Sequence, residues 1–194
     1  MTGWTPASGA AELLNDCRPI GVGDVIKGVA EDTTLASFET LSGQKLTLMY
    51  KGVKGLKPHT GMLIDSYIVK YDYDKYWYSF RFNETYGQDP TGFSLMASFG
   101  VSPGIQFDDA NCLSLGDIKA MAQAAGWTFT RPFMGIGYHQ VTAVKGRLTL
   151  EASAVGSAPE NASEAEARQF VEDYGFKGCA RDLHIRLFAD RAKQ

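Results

Sequence analysis

His139 is the side chain whose spacing places it best for chemistry. Val141 and Ala143 alternate with polar Gln140 and Thr142, so the two-residue period that turns those apolar residues inward turns His139 inward as well. A buried imidazole can act as a general base or orient a ligand, and it can equally serve as a structural group bonded to backbone or to a tyrosine hydroxyl. His184 falls on the polar side of an alternating segment near the C-terminus, and His59 follows Pro58 in a loop. Neither has a partner at a recognisable spacing.

A basic, glycine-bearing stretch runs through Lys51, Lys54 and Lys57, with Gly52 and Gly55 between them. Glycine lets backbone N–H groups approach an anion while lysines supply charge, so the stretch reads as a hairpin end able to hold a phosphate or an acidic partner. It lacks the strand-turn-helix setting of a nucleotide-binding loop. Asp72 and Asp74 are two residues apart and can share a strand face as paired carboxylates, although Asp74 is better used as a turn residue. Tyr71 and Trp77 flank them, and such stiff amphipathic rings suit a protein-binding surface. These residues, Tyr71, Asp72, Asp74, Trp77, Lys51, Lys54 and Lys57, form the candidate binding set.

Metal chemistry needs several donors at short spacing, and no Cys-x-x-Cys or His-x-x-x-His pair occurs, so no metal and no cofactor is implied. Cys17, Cys112 and Cys179 are widely spaced and odd in number. That fits reduced thiols in a cytoplasmic protein better than a disulfide framework. Two glycosylation-type triplets, at Asn83 and Asn161, carry no weight without a secretory signal.

The elements that position these groups follow from periodicity. At 194 residues the chain suits a single domain spanning 1–194, able to bury roughly 70% of its unfolded surface. Residues 1–18 read as an N-terminal helical segment, started by Thr5-Pro6 and striped by Ala10, Leu13 and Leu14. From Val22 to Phe99, β-branched and aromatic runs broken by Gly, Asp and Pro predict successive antiparallel strands with no helix. A turn at Asp74-Lys75 sets Tyr71 against Tyr78, Val69 against Phe80 and Tyr67 against Phe82, all on one aromatic face. A second hairpin is expected from Leu35 to Tyr50, with Phe38 against Leu48.

Ser114 and Asp117 read as a capping box opening a helix, which Gly126 closes with Trp127 folded back on it. Ser163 and Glu166 repeat the pattern after a surface linker at 157–162. A turn at Lys145-Gly146 pairs Val141 with Leu150 and Ala143 with Leu148, and Asp182 to Phe188 closes the fold as a strand. The sum is an α+β domain of mainly antiparallel sheet: about nine or ten strands, strongly curved or barrel-like, with about three helices.

Charge limits the functions. A net charge of −3 lacks the basic footprint that nucleic-acid binding needs, and no stretch is apolar for long enough to span a membrane. The expected function is that of an intracellular protein-binding or inhibitor protein, such as an immunity protein neutralising a toxin, with a basic partner. The alternatives are a small-molecule-binding or enzymatic barrel using His139 in an aromatic cavity, and a structural component of a phage or secretion particle.

Overall fold

The computed structural model describes residues 21–54, 61–72, 76–87, 91–101, 113–130, 133–135, 138–155, 163, 165–166, 169 and 179–188. Three helices lie among them: α1 (Val22–Gly28), α2 (Leu35–Ser42) and α3 (Leu115–Ala124). The strands are β1 (Thr47–Lys54), β2 (Met62–Asp72), β3 (Tyr76–Gly87), β4 (Gly92–Val101), β5 (Thr128–Phe129), β6 (Phe133–Gly135), β7 (Tyr138–Lys145), β8 (Leu148–Val155) and β9 (Ala180–Phe188). They form one open antiparallel sheet in the order β1-β2-β3-β4-β9-β8-β7-β5, with β6 also on β7. The α+β class with mainly antiparallel sheet is therefore as the sequence implies, whereas a closed barrel is not formed.

The first two helices replace expected strands. Val22, Val25, Ile26 and Val29 are β-branched, yet they recur at helical spacing and all are buried. Side-chain periodicity here outweighs the weak strand preference of β-branched residues. The expected Leu35–Tyr50 hairpin is likewise overturned. The Thr34 hydroxyl accepts from Ser37 N at 3.3 Å and the Ser37 hydroxyl accepts from Thr34 N at 2.8 Å, a reciprocal cap that commits Leu35–Ser42 to α2. Gly43, at φ +66°, ends it. Phe38 thus enters the core from a helix instead of facing Leu48.

The β2–β3 register is the one expected: Tyr71 pairs with Tyr78, Val69 with Phe80 and Tyr67 with Phe82. The expected Asp74-Lys75 turn lies outside the described residues. The β7–β8 hairpin is shifted by two from its expected pairing, with Val141 facing Ala152 and Ala143 facing Leu150. Gly146 takes the first turn position at φ +59° and Arg147 follows without a positive φ, the arrangement of a II′ turn in place of a turn with glycine second. An even shift leaves each side chain on its expected face.

Helix α3 opens and closes as the sequence predicts. Ser114 and Asp117 form the capping box, and the N–H groups of Gly126 and Trp127 reach Gln123 O and Ala122 O at 3.1 and 3.0 Å, a Schellman closure. Trp127 Nε1 then donates to Ile26 O at 3.0 Å and so ties α3 to α1. Ser163 and Glu166 also cap one another. Residues 165, 166 and 169 are helical, and the remainder of that expected helix, the N-terminal segment 1–18 and the 157–162 linker lie outside the described residues.

The core is one layer between helices and sheet. Phe38 stacks on Phe82 at 5.4 Å and meets Phe80 edge-on at 6.1 Å, and Phe82 stacks in turn on Phe93 at 5.7 Å. Leu95, Leu183, Ile185, Leu148 and Leu150 continue this face across the central strands, all 2% exposed or less. On the aromatic face of the β2–β3 hairpin, Tyr78, Phe80 and Phe82 are buried among the core side chains.

Candidate functional site

The opposite face of the sheet is polar, because alternation along each strand sends the intervening residues there. Across the sheet, Lys70, Ser79, Ser98, Asp182, Ser153 and Gln140 form one row. The next row holds Ile68, Arg81, Met96, His184, Glu151 and Thr142. Between β7, β8 and β9 these rows sink into a recess of about 200 Å³ lined by Gln140, Glu151, Ser153, Asp182, His184 and Arg186, with the backbone of Ala152 between Glu151 and Ser153.

The recess is internally organised. Arg186 Nη2 donates to Glu151 Oε2 at 2.8 Å and lies 3.1 Å from His184 Nδ1. A guanidinium has no acceptor, so Nδ1 must accept, which leaves the ring proton of His184 on Nε2. Burial holds the His184 imidazole below its usual pKa; Arg186 adds to this, while Asp182 and Glu151 oppose it. Asp182 accepts from Ser98 Oγ at 2.8 Å and lies 3.4 Å from Ser153 Oγ. No group of three His, Cys, Asp or Glu among the described residues is arranged to hold a metal ion.

A second surface lies at the β1 edge. Leu48, Met49 and Val53 are 45–56% exposed, and Tyr86 on β3, beyond β2, is 38% exposed. Two register breaks interrupt the pairing of β1 with β2, on either side of Tyr50. The second is pinned by the buried Asp65, whose Oδ1 accepts from Gly52 N at 2.7 Å and from the Tyr86 hydroxyl at 2.8 Å. That hydrogen bond raises the Tyr86 phenol above its ordinary pKa, as do burial and the nearby carboxylate charge.

The expected site residues separate. Lys51 and Lys54 are exposed on β1 and belong to a strand rather than a loop, because the bulges carry pairing through to Lys54. Trp77 lies over Gly100, where any Cβ would collide with its ring, and Lys70 Nζ sits 5.9 Å from that ring. Tyr71 and Asp72 pair in register with Tyr78 and Trp77. Asp74 and Lys57 lie outside the described residues. The backbone of His139 faces Met134 and Ala154, in phase with Val141 and Ala143, and its side chain also lies outside them. Among the described members of the set, Trp77 lies on the β2–β3 hairpin and Lys51 and Lys54 lie on the β1 edge.

The recess residues were legible only as a pattern. Asp182-x-His184-x-Arg186 puts three chargeable groups on one face of a strand, and Gln140 and Glu151 share the polar face of the β7–β8 hairpin. What joins them is the adjacency of β8 and β9, a contact across more than thirty residues of chain. Cys179 is disulfide-bonded, which corrects the expectation of three reduced thiols; its partner thiol lies outside the described residues. No helix among the described residues is long and apolar enough to cross a membrane.

No protein-family model matches the chain, and no curated protein or solved structure matches it. The functional reading rests on its geometry.

Proposed function

We propose that this is a protein-binding or inhibitor protein whose partner docks on the β1 edge. The observation that carries the reading is concentration: of the five large exposed hydrophobic residues among the described residues, Leu48, Met49 and Val53 sit on this edge strand, and Tyr86 reaches toward it to share Asp65 with Gly52. Apolar side chains gathered on a surface, with methionine and tyrosine among them, have the composition of an interface core, and Lys51 and Lys54 supply a charged rim. The partner surface complementary to this edge carries apolar anchors within an acidic border, in contrast to the basic partner that net charge alone suggested.

The bulges and lysines disfavour simple strand addition, since both are devices that keep an edge from pairing with a stray strand. Docking through side chains is the mode they leave open. The disulfide at Cys179 favours an oxidising compartment as the place of action over the cytoplasm.

Native mass spectrometry of the protein purified from its own host, with a Met49→Lys/Lys51→Glu variant beside it, tests the reading. The expected result is a partner chain that the wild type retains and the variant loses at unchanged far-ultraviolet circular dichroism. A partner retained equally by both, or no partner on the wild type, overturns it.

A further inference from the structure

We propose that the recess between β7, β8 and β9 binds an alkylammonium group, with Asp182 as its counter-ion. Two carboxylates, Asp182 and Glu151, face one guanidinium, Arg186, across this recess. Glu151 is already paired with Arg186 at 2.8 Å, whereas the hydrogen bonds to Asp182 come from the uncharged hydroxyls of Ser98 and Ser153. One negative charge therefore stands on the wall without a charge-pairing hydrogen bond, in a recess large enough for a small ligand. A charged donor bonds a carboxylate about twice as strongly as a neutral one, so an ammonium gains most at this position.

The remaining lining completes the fit. Gln140 offers an amide oxygen and Ser153 a hydroxyl as further acceptors for the three N–H bonds of an ammonium. The lining has no aromatic platform on which a sugar ring could stack, and its net negative charge repels anions. Arg186, held by Glu151 and His184, stays on the far side of the recess and does not occupy the place of the ligand.

A free diamine and a lysine side chain share this chemistry, and two probes separate them: putrescine, and the tripeptide Gly-Lys-Gly with blocked ends. Titrations followed by amide NMR should show saturable shifts at Ser153, Asp182 and His184. Asp182→Asn, which keeps an acceptor for Ser98, should weaken binding by at least about tenfold. Glu151→Gln should weaken it less, because Glu151 is already neutralised. Binding of putrescine marks a free amine as the ligand, and binding of the tripeptide alone marks a lysine of a partner. The proposal is overturned if neither probe binds, if 1,4-butanediol binds as well as putrescine, or if Asp182→Asn leaves the affinity unchanged. Gln140→Ala, which lies on a different strand from Asp182, provides a second variant with the same expected direction should Asp182→Asn fail to fold.

Discussion

The two faces of the sheet are built from the same strands and follow opposite rules. On β3, Tyr78, Phe80 and Phe82 point to the helices while Ser79, Arg81 and Asn83 point away; on β9, Leu183, Ile185 and Leu187 alternate with Asp182, His184 and Arg186. The helix-covered face is satisfied by volume alone, since dispersion and water exclusion have no direction. The polar face must be satisfied bond by bond, and it is not: Ser66 Oγ, Arg81 Nε and Asn83 Oδ1 are buried there without a hydrogen-bond partner. Native interiors leave few such groups.

The sharpest way to break this division is to truncate one side chain on each side of it. Phe82→Ala removes a ring that is 0% exposed and stacked on both Phe38 and Phe93. It should cost about 3–5 kcal/mol by chemical denaturation, the range for a large aromatic truncated in a packed core. Met49→Ala on the β1 edge should change stability by less than about 0.5 kcal/mol and act only on partner binding. A comparable loss of stability at Met49 would show that the edge belongs to the core and not to an interface.

A smaller effect tests whether local capping, and not packing alone, holds α3 against the sheet. Ser114→Ala deletes the hydroxyl that accepts from Asp117 N at 3.0 Å, leaving an N-terminal N–H of the helix without its cap. A loss of about 1 kcal/mol in denaturant midpoint analysis is the expected outcome. Ser114→Asp, which restores an acceptor and adds favourable charge at the N-terminus, should recover most of it.

What could be read from the sequence divides along the same line. The register of the β2–β3 hairpin and the caps of α3 were legible because local rules determine them: alternation, turn length, and a box of two side chains three residues apart. Helices α1 and α2 were missed although their signals were present, at Val22, Val25, Ile26 and Val29 and in the Thr34–Ser37 box, because β-branched and aromatic residue types were given more weight than their spacing. The β7–β8 shift turned on which turn position Gly146 occupies, a choice that residue types alone leave degenerate. The recess was beyond local reading, because Glu151 and Arg186 meet only once β9 inserts between β4 and β8. His139 drew attention through its chemistry, whereas the partnered histidine of the described structure is His184.

His184 supplies the finest test of the polar face, through the sign of its pH dependence. Burial first, then the guanidinium of Arg186, disfavours the charged ring, and Asp182 and Glu151 only partly compensate. The folded protein therefore binds this proton more weakly than the unfolded chain, whose histidine titrates near 6.5. The contribution of His184 to stability is complete above about pH 6.5 and is lost as the pH falls from there to the lower folded pKa. In an NMR titration its ring carbons should show a midpoint below 6.5. Asp182→Asn and Glu151→Gln should each lower that midpoint further by removing a favourable charge, while Arg186→Met should raise it. A midpoint at or above 6.5 in the wild type would mean that the carboxylates dominate and that the ring is protonated, forcing Nδ1 to donate and breaking the Arg186 contact. Because a protonated ring would repel an ammonium from Asp182, the same titration run in saturating putrescine should move the His184 midpoint lower still.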